Sequence, residues 1–187
     1  MADLAALPWF LCKANYRGIV PDTLDVGIRP DQFRPWSECV LTPHVVDVDN
    51  KIVAGQVERR LISLTPPTTV LLTPITARIE TGVLRLPRLP APAGETDPPT
   101  PGEIAEQQTA EGVPLTANNT ADVLELGTLR IAWQVAFGSM TILGQTYRFN
   151  SFYFLGPTVT DYDPDDKDWT PPEVDLTTVA RFNPAPA

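Results

Sequence analysis

Between residues 129 and 155 the chain alternates large apolar groups with smaller or polar ones. Leu129, Ile131, Trp133, Val135 and Phe137 fall on one face, and Arg130, Ala132, Gln134 and Ala136 on the other. A period of two marks a half-buried β-strand. After Gly138-Ser139 the apolar run resumes at residues 140–143, turns at Gly144-Gln145 and continues through residues 147–150. Phe152 and Phe154 are out of step with Tyr147 and Phe149 by one residue, which predicts a β-bulge near Asn150-Ser151. A long hairpin or meander here is the expected core, with Trp133, Val135, Phe137, Phe149 and Phe154 buried together.

Upstream the same period recurs. Residues 45–48 lead into Asp49-Asn50, a pair that tolerates left-handed backbone. Residues 51–64 read as one long strand, stopped by Pro66-Pro67, and Val70, Leu71 and Leu72 as a short one closed by Pro74. Ile75, Ala77 and Ile79 alternate with Thr76, Arg78 and Glu80; Thr81-Gly82 turns the chain, and residues 83–86 form the second arm of a hairpin. Residues 113–115 and 123–126 predict two further short strands. Thr100, Pro101 and Glu103 have the spacing of a capping box, which predicts one short helix to about Ala110. Turn signals every eight to twelve residues predict an all-β fold, a β-sandwich or barrel.

The ends are less regular. Residues 7–11 and 23–28 read as short strands in an extended N-terminal arm, residues 1–44, and residues 174–179 as a final strand or short helix. The expected division is that arm, a core over residues 45–155 with a Pro-rich loop and the helix at 87–112, and an acidic, Pro-rich C-terminal arm over residues 156–187. Proline sharpens this division: 21 in 187 residues is about twice the average usage of roughly 5%. Each proline fixes φ and removes a donor, so long helices are disfavoured. The arms carry Trp9, Phe10, Phe33, Trp36 and Trp169, aromatic groups that need cover. Either they pad the chain's own core or they dock on a neighbouring subunit, and they are the candidate partner-binding residues.

Charge removes some functions. Lys and Arg number 14 against 23 Asp and Glu, a net charge of −9, and the basic residues are scattered. Phosphate contact needs clustered cations, so no nucleic-acid partner is expected. No apolar run is long enough for a membrane helix, and the first residues lack the basic start of a signal peptide, so no membrane insertion is expected. Cys12 and Cys39 are too few for a disulfide framework; two isolated buried thiols are the expected reading over a pair.

Candidate chemistry is sparse. His44 is the one histidine, with no acid or nucleophile at a telling spacing, and a zinc site needs three or four His or Cys ligands where the chain has three such residues in all. Glycine-rich phosphate loops are absent, and no pair among the carboxylates is marked by pattern. Asp161, Asp163 and Asp165 begin like a calcium loop, but Asp166 stands where the turn needs Gly and Pro172 where the loop needs Glu. A solvated acidic loop is expected there. No catalytic residue, metal or cofactor is expected, and so no enzyme.

Function comes from a resemblance. Residues 75–85, Ile-Thr-Ala-Arg-Ile-Glu-Thr-Gly-Val-Leu-Arg, and residues 112–118, Gly-Val-Pro-Leu-Thr-Ala-Asn, resemble two stretches of the β-rich minor tail proteins of long-tailed phages of actinobacteria. The strand at residues 55–66, the aromatic strand pair and the close at Val174-Asp175-Leu176-Thr177 are similar too, so the likeness covers about residues 52–180. It implies a non-enzymatic structural protein at the tail tip, made in the host cytoplasm, located in the virion and bound to other tail subunits in several copies. The second reading is a glycan-binding module that sets Trp and Asp against host cell-wall carbohydrate.

Overall fold

The computed structural model describes residues 7–16, 18–20, 31–33, 37–53, 61–64, 68–86, 110–118, 127–142, 145–163 and 165–184. Within them the fold is all-β, and no helix occurs. The strands are β1 Trp9–Lys13, β2 Gly18–Val20, β3 Asp31–Phe33, β4 Ser37–Val46, β5 Leu61–Leu64, β6 Thr68–Leu71 and β7 Ile75–Glu80. They continue as β8 Val83–Arg85, β9 Val113–Thr116, β10 Arg130–Phe137, β11 Met140–Ile142, β12 Gln145–Tyr147, β13 Phe152–Leu155 and β14 Glu173–Asp175.

Five strands form one curled sheet in the order β13-β10-β4-β7-β8, and three form a second in the order β14-β1-β9. Strands β2 and β3, β5 and β6, and β11 and β12 pair as separate two-stranded ribbons. Single bridges join the two main sheets on both flanks. On one, Asn15 pairs with Val83 and Gly112 with Arg85; on the other, Asn118 pairs with Thr158 just beyond β13. The result is a sandwich that closes toward a barrel, which leaves few bare edges.

Alternation explains the core. In β1, Phe10 and Cys12 point in; in β4, Cys39 and Leu41; in β7, Ala77 and Ile79; in β10, Ile131, Trp133 and Val135. Leu84, Val113, Leu115, Phe154 and Leu176 complete it. Trp133 is 1% exposed, and its indole N–H donates to Thr116 O at 3.2 Å, which ties the inner face of one sheet to the other. Pro43 sits in mid-strand opposite Trp133. The proline is tolerated because β7 pairs with β4 only as far as Leu41, so no ladder donor is needed on that side.

Two turns match the sequence reading. The chain turns after β4 with Asn50 at φ 61°, Asp47 accepting the N–H groups of Asp49 and Lys51, and Arg130 donating to Asn50 Oδ1 at 3.0 Å. Thr81 and Gly82, both at positive φ, join β7 to β8.

Several expectations are corrected. The boundary expected between residues 44 and 45 falls inside β4, the central strand of its sheet. The N-terminal segment is not an arm over residues 7–16, since β1 is the middle strand of its sheet. Nor does the C-terminal segment leave the domain: β14 runs parallel to β1, Leu176 is fully buried, and Phe182 pairs with Tyr153. Phe149 is not core but 47% exposed, and Phe137 is partly buried. The reason lies at β12, which ends at Tyr147; residues 148–151 run outside any strand, so the aromatic phase shift is a break rather than a bulge. Of the long strand expected at residues 51–64, Ile52 makes one bridge to Val46 and β5 forms the end; residues 54–60 lie outside the described ones. So do the expected helix up to residue 109 and the strands at residues 23–28 and 123–126.

Candidate functional site

The outer face of β1 carries the site. Because Phe10 and Cys12 point inward, Trp9, Leu11 and Lys13 point out. The C-terminal segment runs alongside β1 as its parallel neighbour β14, held by Leu11 N–H donating to Pro172 O at 2.9 Å and Leu176 N–H donating to Lys13 O at 2.8 Å. Lys13 forms an ion pair with Glu173. Just before β14, Trp169 lies edge-on against Trp9, ring centres 5.5 Å apart at 66°, and Tyr162 edge-on against Trp169 at 4.7 Å and 72°. Such geometry matches positive ring edges to negative faces. All three rings remain partly exposed.

An acidic loop joins Tyr162 to Trp169. Asp163 Oδ1 accepts the N–H of Asp165 and Asp166 Oδ1 that of Asp168, each at 2.9 Å, so two carboxylates shape consecutive turns. Asp161, Asp163, Asp165, Asp166 and Asp168 are all exposed. Among the described residues no three His, Cys, Asp or Glu side chains converge as metal ligands. The surface therefore combines three partly exposed aromatic rings with an exposed acidic loop.

Of the expected partner-binding residues, Trp9 and Trp169 are brought together here. Phe10 is not available to a partner: it is fully buried and packs edge-on against Phe154 at 6.2 Å. Its place inside follows from strand alternation, which allows only one of Trp9 and Phe10 to face out. Phe33 belongs to β3, with a side chain outside the described ones, and Trp36 lies outside the described residues.

The other chemistry-bearing groups are separated by the sheet. Cys39 faces the core from β4, whereas His44 lies on the opposite face, with Nε2 3.3 Å from Gln134 Oε1 and its ring over Tyr153. A Cys39 and His44 dyad is thereby excluded by strand geometry. Both cysteines are free and buried. Burial pushes the Cys39 thiol up to about 12, and it pushes Cys12 up as well, helped by Cys39 and Asp175. Neither is a thiolate at neutral pH. A cleft of about 200 Å³ between β1 and β8 is lined by Lys13, Asn15, Glu111 and Asp175. Its carboxylates are engaged, Glu111 with Arg85 at 3.7 Å and Asp175 with the Thr177 N–H at 2.8 Å.

A second exposed surface had no signal in the sequence. Tyr147 and Phe149 are 43% and 47% exposed, with exposed Arg148 between them. Phe149 rests on Phe137 at 5.8 Å, and Phe137 on Phe152, over which Arg181 stacks at 4.1 Å.

Compared with protein-family models, with curated proteins and with solved structures, the chain matches none. The fold defines the class as an all-β sandwich or barrel. No helix among the described residues is long and apolar enough to cross a membrane.

Proposed function

We propose that the chain is a structural virion protein, a minor tail protein at the tip of a long phage tail, and that it works by binding neighbouring subunits rather than by catalysis. The observation that carries this reading is the partly exposed set of Trp9, Tyr162 and Trp169 beside an exposed acidic loop. Aromatic anchors with a polar surround are the composition of interface hot spots. The stretch that resembles tail proteins, residues 112–118, supports a fold-building role for that motif. Gly112 has φ +95°, and a Cβ there would lie 2.9 Å from the Leu11 side chain. Val113, Leu115 and Ala117 are buried, and Asn118 hydrogen-bonds across the seam. Gold-labelled antibody against the chain should mark one end of purified phage particles. Absence of the chain from washed particles would overturn the reading.

A glycan-binding module is the second reading, favoured by the same rings beside carboxylates, since sugar rings stack on Trp and hydroxyls bond to Asp. Co-sedimentation of the purified chain with host cell-wall polysaccharide, lost in Trp169→Ala, supports that reading instead.

A further inference from the structure

We propose that copies of this chain join head to tail, with the face bearing Tyr147, Arg148 and Phe149 seated on the aromatic and acidic face of the next copy. This rests on the subunit-binding reading above and names the partner as a second copy.

The two faces lie toward opposite ends of the barrel. In β10, Phe137 pairs with Cys39 near one end of β4, and Arg130 with Val46 at the other. Phe149 and Arg181 pack around Phe137 and Phe152 at the first end. Trp9 pairs with Thr116, two residues before Asn118, and Asn118 bonds to Ile131 toward the second end.

Each face has what the other lacks. At the first end two exposed aromatic rings are flanked by exposed Arg148 and Arg181, with exposed Glu38 and, near Tyr16, Asp175 as opposing charges among the described residues. The adjoining ribbon of β11 and β12 belongs to neither main sheet, and a two-stranded ribbon alone is marginally stable in water, so packing against another surface favours it. At the second end five exposed aspartates, with Lys167 the one base among them, lie on the loop that carries Tyr162 and leads to Trp169. Guanidinium on carboxylate is a charge-assisted pair, and aromatic surface covers aromatic surface. Unlike faces are the better match: first end on first end brings together two faces that both carry Arg148 and Arg181, and second on second brings together two faces rich in carboxylate. A contact between two different patches is heterologous, so it builds a ring or an open stack rather than a closed two-fold dimer.

The test is sedimentation of the purified chain over a concentration series. The average mass should rise with concentration at low salt and fall back near 1 M salt, where the Debye length is about 3 Å. Arg148→Glu alone, and Asp161→Lys with Asp165→Lys, should each weaken association about tenfold or more. These positions are exposed, and an unchanged near-ultraviolet circular dichroism spectrum checks the fold. The two variants mixed should regain association, because each retains one intact face and the two altered faces carry opposite charges. A chain that stays monomeric at every concentration overturns the proposal, as does either variant associating like the parent. A monomeric chain that still labels the tail end sinks this proposal alone; association without labelling sinks the tail reading alone.

Discussion

The side-chain amide of Asn118 has two N–H donors and a carbonyl acceptor, and its surroundings are closed to water, with 5% of the residue exposed. Nδ2 donates to Ile131 O at 3.0 Å and to Gly156 O at 2.9 Å, while Oδ1 accepts the Ile131 N–H at 2.6 Å. Its backbone bonds to Pro157 and Val159 on the strand beyond. One residue thus links β10, the chain after β13 and the continuation of β9. Gly156 leaves room for it, since a Cβ there would lie 3.4 Å from Nδ2. Asn118→Ala strands the Ile131 N–H and the Gly156 carbonyl away from water, while Ile131 O keeps the Gly156 N–H, and unsatisfied buried groups cost about 1–3 kcal/mol each, reduced where water enters the gap. We expect a loss of about 2–4 kcal/mol in urea unfolding. A loss below about 1 kcal/mol would mean that the seam does not depend on this amide.

At the scale of elements, β10 is the strand on which the larger sheet is assembled. It pairs with β4 over eight residues and with β13 over four, both antiparallel. Trp133 is its largest buried side chain and reaches across to Thr116. Trp133→Ala removes that bond and leaves a cavity, so a cost of roughly 3–5 kcal/mol is expected. A urea midpoint close to that of the parent would show that the strand is not central to stability. Strands β7 and β8 were legible because alternation and the Thr81-Gly82 turn are both local. Strand β4 was not legible as one element, because its three residues after Val40 include Pro43, and only the ending of β7 at Leu41 makes that proline harmless.

At the scale of the molecule, the two ends of the chain complete the fold together. Leu11, Cys12 and Lys13 pair with Glu173, Val174 and Asp175, across 160 residues between Lys13 and Glu173. Arg181 then bonds to Leu176 O and stacks on Phe152, and Phe182 closes on Tyr153. A chain ending at Thr160 loses Leu176 from the core and bares one edge of β1. It should bind a hydrophobic dye and unfold without a cooperative transition, as expected when core packing is lost. A truncated chain that unfolds as sharply as the parent, at the same urea concentration, would show that the C-terminal segment is dispensable padding.

The all-β class, the strand faces of β7 and β10, and the turns at Asn50 and Thr81 were determined by the sequence itself, because side-chain period and backbone φ preference act within a few residues. Only the tertiary structure decided that Phe10 is core while Trp9 meets Trp169, that Phe149 faces water, and that Asn118 fastens the seam. Those outcomes depend on which distant strand lies alongside. A strand's own alternation says which residues share a face, but the partner that covers that face is chosen by closure of the whole barrel.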